Sequence, residues 1–286
     1  MAHNILMSSS DFAARRAEFR RLHQSGCFVI PNPWDIGTAR YLRSLGFKAL
    51  ATTSGGFAFS RGLPDDGLAV SRDTMLAHIA EIVASVDLPV NADFQFGYAV
   101  EPEGVAHNVR LCAATGIAGL SIEDATGDPA HPLFDLPLAV ERIRAARSAI
   151  GDSGVLLTAR AECFLTGHSD PLREAIRRLQ AYAEAGADVL YAPGPTQRDD
   201  IHAIVTAAGP MPVNILLSSN TGLAIADLAQ LGVRRISVGS ALARAAWTGF
   251  IRTATELARQ GTVASLDGTI PYGEINGFFE KDHRSS

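Results

Sequence analysis

The feature that most constrains this chain is a recurring short apolar run. Eight such runs punctuate it: CFVIP (27–31), KALATTS (48–54), PVNAD (89–93), GLSIED (119–124), GVLLTAR (154–160), ADVLYAP (187–193), PVNILL (212–217) and RRISVG (234–239). Each is shorter than an ordinary helix and lacks the polar alternation of a strand with one wet face. Each therefore predicts a parallel strand covered on both sides. Longer stretches with helical spacing separate them, such as SRDTMLAHIAEIVASV (71–86), LAVERIRAARSAI (138–150) and PLREAIRRLQAYAEAGA (171–187). Glycines just before strands, in SLGFKAL, ATGIAGL, EAGADVL and QLGVRRI, read as helix C-terminal stops leading into the next strand. A strand–helix unit repeated eight times predicts an α/β fold, a (β/α)8 TIM-type barrel. The alternative, a doubly wound open sheet, lacks its G-x-G-x-x-G after the first strand. No linker divides the chain, so residues 1–286 are expected to form one barrel domain, with 241–286 as a C-terminal helical segment.

Composition removes several classes of function. A net charge of −5 with no Lys/Arg tract argues against nucleic acid, whose binding rests on many basic contacts to phosphate. Two Trp and five Tyr make a poor stacking platform. Cys27, Cys112 and Cys163 form no CxxC pair and no zinc pattern, which suits the free thiols of a cytoplasmic protein. The N-terminus MAHNILMSSSDFAARRAEFRRL has no signal-peptide core, and SSSDFAARRAEF reads as a serine cap before an amphipathic helix. No apolar run reaches membrane-spanning length.

In a barrel of this type the working residues sit at the C-terminal ends of the strands. Those ends carry Asn32, Trp34 and Asp35 (strand 1), Ser54, Gly55 and Gly56 (strand 2), and Asp93 and Gln95 (strand 3). They continue with Glu123 and Asp124 (strand 4), Arg160 and Glu162 (strand 5), Asn214 (strand 7), and Gly239 and Ser240 (strand 8). Singly, an acid at a strand end is most often a helix cap or a surface ion pair. Together, Asp93, Glu123 and a loop acid, Asp65 or Asp66, would converge and repel. A hard divalent cation resolves that repulsion, and Mg²⁺ commonly takes one or two carboxylates and keeps several waters. Arg160 offers a fork for a substrate carboxylate or phosphonate. The Ser54-Gly55-Gly56 amides can approach an anion closely because glycine has no Cβ.

These pieces resemble the isocitrate lyase/phosphoenolpyruvate mutase superfamily over roughly residues 15–260. The matching segments are NPWDIGTARYLRSLGF, TTSGGFAFSRGLPDDG, ADFQFGY, SIED, ARAE and LGVRRISVGSALARAA. The resemblance implies a Mg²⁺ site, with Mn²⁺ as the alternative ion, built from Asp93, Gln95, Glu123 and Asp65. It implies catalytic roles for Arg160, Asp65 and Glu123, and substrate contacts from Ser54, Gly55, Gly56, Arg160 and Asn214. It also implies a homodimer or homotetramer in which the last helix is exchanged between subunits. Two departures stand out. The stretch after strand 4, DATGDPAHPLFDLPLAVERI, lacks the Cys-Gly-His triplet of the isocitrate and methylisocitrate lyases, which leaves the acid and base unassigned, with Tyr98 and Glu162 the nearest choices. Gln95 places a neutral amide where the family has a second carboxylate. The implied activity is Mg²⁺-dependent cleavage of a carbon–carbon bond in a small 2-oxo or malate-type acid, by lyase or decarboxylase chemistry, through a pyruvate-like enolate. The alternatives are a phosphonomutase acting on a C–P bond, and a 2-oxo acid binder that has lost turnover through Gln95.

Overall fold

A computed structural model describes residues 9–285. The serine cap expected at the extreme N-terminus falls partly outside them. Eight parallel strands form: β1 (Phe28–Ile30), β2 (Leu50–Ala51), β3 (Val90–Asp93), β4 (Gly119–Glu123), β5 (Leu156–Arg160), β6 (Val189–Tyr191), β7 (Val213–Leu216) and β8 (Arg235–Ser237). Around them run α1 (Ser9–Leu22), α2 (Ile36–Ser44), α3 (Ser54–Ser60), α4 (Arg72–Ser85), α5 (Pro102–Ala114) and α6 (Leu136–Ile150). α7 (Pro171–Glu184), α8 (Arg198–Ala208) and α9 (Ile225–Gln230) complete the ring. Every predicted strand is present and the order β1-β8-β7-β6-β5-β4-β3-β2 is that of a (β/α)8 barrel. The seam between β1 and β2 carries no paired ladder. It is bridged by Ala51 N–H to Pro31 O (3.0 Å) and by Asn32, whose amide donates to Thr52 O and accepts from Val238 and Gly239 N–H.

Strand 2 is shorter than its apolar run. Thr53 accepts the Gly56 N–H through its hydroxyl, so the chain turns into α3 and Ser54 opens a helix instead of ending a strand. The helix stops follow the predicted glycines, and Gly46, Gly116, Gly186 and Gly232 all have φ between +85° and +99°.

The strands differ from expectation on one face. Their buried outer face is apolar: Ala92, Leu120, Ile122, Leu157, Leu190, Val213, Ile215 and Ile236 pack in the layer shared with the helices. Their inner face is polar, with Asn91, Asp93, Ser121, Glu123, Arg160, Tyr191, Asn214, Arg235 and Ser237 lining a central cavity. The alternation was hidden in sequence because small and polar residues are few in each run.

The N-terminal end of the barrel is stoppered by α1. Phe19 is fully buried among Ile30, Ala49, Ala51, Ala118 and Leu156. Arg16 donates to the carbonyls of Ala113, Ile117 and Ser153 at 3.0–3.1 Å, tying the helix to the neighbouring loops. Truncating Phe19 to alanine would cost roughly 3–5 kcal/mol.

Residues from Ala241 onward form a second compact unit. It holds α10 (Ala241–Gln260), a 3-10 turn (Ala264–Leu266) and α11 (Tyr272–Ser285). Glu256 on α10 accepts from Thr262 Oγ1, Ala264 N–H and Ser265 N–H at 2.6–2.8 Å and folds the turn back onto the helix. Trp247, Phe250 and Ile251 are exposed on α10. Among the described residues no helix is long and apolar enough to cross a membrane.

Candidate active site

The polar inner face opens at the C-terminal strand ends into a cavity of about 410 Å³. Arg160, at the end of β5, organises its rim. Its Nη1 donates to Asp93 Oδ1 at 2.8 Å and meets Glu123 Oε2 at 3.1 Å, while Nε donates to Glu162 Oε1 at 2.8 Å. The guanidinium carbon lies 5.1 Å from the Tyr191 ring centroid. Burial opposes the charge on Arg160, yet Glu162, Glu123 and Asp93 outweigh it and raise its pKa well above the ordinary value. The barrel thus brings Asp93, Glu123 and Arg160 to one point from three strands.

Asp93 is held from both sides. Its N–H donates to Thr52 Oγ1, and its Oδ2 accepts the Ser54 N–H, both at 2.9 Å. The Ser54 amide is therefore engaged with Asp93 and the Gly56 amide with Thr53, which leaves Gly55 N–H as the open donor of the three. Of the two loop acids, Asp66 caps its own turn through Leu68 and Ala69 N–H. Asp65 instead turns its carboxylate inward, where Oδ1 accepts from Gln95 Nε2 at 3.2 Å. A Cβ on Gly55 would meet Asp65 Oδ2 at 2.7 Å, so glycine there lets the Asp65 carboxylate stay where it is.

Gln95 lies beyond β3 in a left-handed turn, φ +46°, followed by Tyr98 at φ +55°. Such backbone costs of order 1–3 kcal/mol per residue and persists only where the surroundings over-determine it. Here Asn108 Nδ2 donates to Gly97 O and Tyr98 O, and Arg142 Nη2 donates to Phe96 O and Ala99 O. Arg142 also reaches Glu123 O and stacks 4.0 Å over the Phe134 ring. Tyr98 itself packs between Phe94 and Phe96 and does not line the cavity.

The rim carries more negative than positive charge. Asp65, Asp93, Glu123 and Glu162 surround one arginine. Burial pushes Glu123 up to about 8 against the pull of Arg160, with Glu162, Asp93 and Asp65 adding to the rise. Burial likewise raises Glu162, and loss of solvent followed by Asp93 raises Asp65.

Other strand-end residues hold structure. Asp124, adjacent to Glu123, points to the opposite face. It accepts Glu162 N–H (2.8 Å), Arg178 Nη1 (2.9 Å) and the Tyr182 hydroxyl (2.5 Å), and so fixes the backbone that aims Glu162 at Arg160. Asp35 caps α2 with Thr38. Asn214 lines the cavity with its amide already committed, to Ser237 Oγ at 2.9 Å and to Arg235 Nε at 2.8 Å. Cys163 is buried and burial pushes its thiol up to about 12, which makes it a packing residue. Sequence reasoning missed Arg142 and Arg178. Their signal was position: each falls on the buried face of its helix, beside Ala139 and Ile143 in one case and Ala175 and Leu179 in the other.

The donor set suits a hard divalent cation, being oxygen-only and acid-rich. Among the described residues no three acids, histidines or cysteines gather at mutual ligating distance. Gln95 lines the same cavity, and its buried Oε1 has no hydrogen-bond donor among the described residues. A hydrated cation in the cavity would satisfy that acceptor.

A parallel barrel whose strand ends gather an acidic rim around one buried arginine places the site where barrel enzymes carry theirs. Residues 19–258 match the phosphoenolpyruvate phosphomutase family model, and the chain belongs to this family, within the isocitrate lyase/phosphoenolpyruvate mutase superfamily of lyases and mutases. The oxaloacetate decarboxylase of Paraburkholderia xenovorans is 32% identical over 239 residues, covering 79% of this chain and 75% of that protein. A Burkholderia cenocepacia J2315 protein, provisionally described as a lyase or mutase, has a crystal structure that superposes with a TM-score of 0.89. It is 48% identical and covers 94% of this chain and 97% of that one. A phosphonopyruvate hydrolase solved with oxalate and Mg²⁺ superposes with a TM-score of 0.83 at 25% identity, covering 95% of this chain and 96% of that one.

Proposed function

We propose that the protein is a Mg²⁺-dependent lyase or decarboxylase that cleaves the carbon–carbon bond between C3 and its substituent in a small 2-oxo or malate-type acid, through a pyruvate-like enolate. The observation that carries this reading is the convergence of Asp93, Glu123, Asp65 and Arg160 on one cavity of about 410 Å³. Asp93 would hold the cation, with Glu123, Asp65 and Gln95 Oε1 around it. The bound ion supplies Lewis-acid stabilisation of the charge that builds on the keto oxygen as the bond breaks.

The chain's own residues do the rest. Arg160, with Nη1 and Nε held by the rim acids, meets the substrate carboxylate through Nη2, and Gly55 N–H donates to an oxygen of the same group. In decarboxylation of a 3-carboxy-2-oxo acid, the C3–C4 bond breaks, carbon dioxide leaves, and the electron pair moves into the enolate. Glu162, which lines the cavity beside Arg160, is the residue assigned to protonate C3, its proton drawn from and replaced by solvent. The similarity to an oxaloacetate decarboxylase supports decarboxylation ahead of C–P chemistry.

The test is a panel of oxaloacetate, dimethylmalate, methylisocitrate and phosphonopyruvate, each with Mg²⁺ and with EDTA, using wild type and Asp93→Ala. Release of pyruvate or another 2-oxo acid that depends on both the metal and Asp93 is expected. ³¹P NMR reads the phosphonate arm. No metal-dependent product from any of the four would overturn the reading.

A further inference from the structure

The cavity does not end at the rim. It runs down the inner face of the strands to Arg235, which begins β8 two residues before Ser237, and thus ~7 Å deeper along the strand. The interior of such a barrel is normally packed with branched apolar side chains. Here Ala51, Asn91, Ser121 and Asn214 leave room beneath the rim, and an arginine stands at the bottom.

Arg235 is 3% exposed and its partners are all neutral. Nε donates to Asn214 Oδ1 (2.8 Å), Nη2 donates to Thr158 Oγ1 (3.0 Å), and Nη1 lies 3.4 Å from His23 Nε2. His23 sits 2.7 Å from Phe19 O through Nδ1, so Nδ1 carries the proton and Nε2 accepts from the arginine. Burial and Arg235 push the His23 pKa down to about 3, which keeps the ring neutral. Burial also lowers Arg235, to about 10, and it remains charged at neutral pH. No carboxylate among the described residues forms an ion pair with it, although four acids crowd the rim above. A buried cation held only by neutral acceptors keeps an unmet demand for an anion. Three of its five N–H groups are engaged, so a fork remains for one more acceptor.

The geometry points to a second anion subsite inside the barrel, at Arg235, which holds a carboxylate-sized oxyanion. Two sources share that chemistry: the far carboxylate of a dicarboxylic substrate whose 2-oxo end lies at the rim, or a separate small monocarboxylate. The first source rests on the 2-oxo acid reading of the rim, whereas the subsite itself does not.

Isothermal titration of the full-length protein with Mg²⁺ separates these cases. The probes are oxalate, which reaches only the rim, and the chain-matched pairs 2-oxoglutarate/2-oxovalerate and 2-oxoadipate/2-oxohexanoate. Acetate is titrated separately, with oxalate saturating. If the substrate tail is the source, wild type binds a diacid about ten- to a hundredfold more tightly than its matched monoacid, and Arg235→Met erases that preference while oxalate binding stays. If a free anion is the source, acetate binds beside oxalate and Arg235→Met abolishes it. Either result supports the subsite. Should Arg235→Met melt before titration, Arg235→Lys replaces it, with the same losses reduced to several-fold, because an ammonium cannot serve Asn214, Thr158 and a carboxylate as a planar fork does. Wild type showing neither diacid preference nor acetate binding, or a variant retaining them unchanged, overturns the proposal. Failure of oxalate to bind wild type refutes the rim reading alone, and the acetate titration is then run without oxalate.

Discussion

Gln95→Glu restores a second carboxylate to the third-strand motif and tests the electrostatics of the rim. Gln95 Nε2 now donates to Asp65 Oδ1 at 3.2 Å. A glutamate in the same position sets two carboxylate oxygens against each other at that separation. At an effective dielectric of about 20 the repulsion is roughly 5 kcal/mol. Two relaxations cap it. Asp65 rides on an exposed loop and can swing outward. A carboxyl can also take a proton, which at pH 7 costs about 3–4 kcal/mol for a group of ordinary pKa. The metal-free variant should therefore lose about 1–3 kcal/mol and melt roughly 2–10 °C lower. Mg²⁺ should reverse the sign, since the added charge tightens metal binding about tenfold or more. Thermal melts in EDTA and in Mg²⁺, with titration of Mg²⁺ itself, read both effects. If Gln95→Glu melts like wild type in EDTA and binds Mg²⁺ no more tightly, Gln95 does not act as a neutral spacer among the rim acids. If substrate turnover appears only in the variant, the native chain is a binder and not an enzyme of the proposed kind.

Two further outcomes are expected. His23 is depressed from 6.5 to about 3 by burial and then by Arg235, so on acidification the unfolded chain takes up a proton that the native chain refuses. Its contribution is complete above pH 6.5 and is lost as pH falls. About 2–3 kcal/mol should disappear between pH 7 and 4.5, and denaturant unfolding of His23→Gln should show a flatter profile, identical slopes being the refuting result. Gly55→Ala drives a Cβ to within 2.7 Å of Asp65 Oδ2. The exposed Asp65 loop yields, so stability should fall by no more than about 1 kcal/mol, while Mg²⁺ affinity falls about tenfold; unchanged affinity means that Asp65 takes no part in the metal site.

The strands were legible because each parallel run is bounded by glycine, proline or a capping residue, and every observed strand falls inside its predicted run. KALATTS overshot because Thr53 prefers to cap α3, a local choice that apolar periodicity does not register. The rim was legible at the level of which residues reach it, since barrel topology puts strand ends together whatever their identity. What each side chain does there was less so. Glu123 ends β4 and Asp124 follows it directly, and the two serve opposite faces, the cavity and α7, as the alternation of extended chain requires. Asp93 and Gln95 both face the cavity, but not by the two-residue strand period. Gln95 arrives through a left-handed turn held by Arg142 and Asn108, both distant in sequence. Arg235 was read as part of an apolar run, and its position inside a covered strand was the signal that went unused.

The two faces of these strands explain why a cavity this polar can sit inside a stable barrel. Leu120, Leu157, Leu190, Ile215 and Ile236 are at most 1% exposed and build the layer against the helices, while Phe19 seals the base. Stability resides there, in apolar area and close packing. The inner positions, released from that duty, carry charges that packing alone would not select. An acid-rich rim strains toward a cation, and a lone arginine at the floor strains toward an anion. Groups that their protein neighbours compensate so poorly are candidates for completion by a ligand. A molecule that carries a chelating 2-oxo acid at one end and a carboxylate at the other would relieve both ends of the cavity at once, oriented with its reactive carbon beside Arg160.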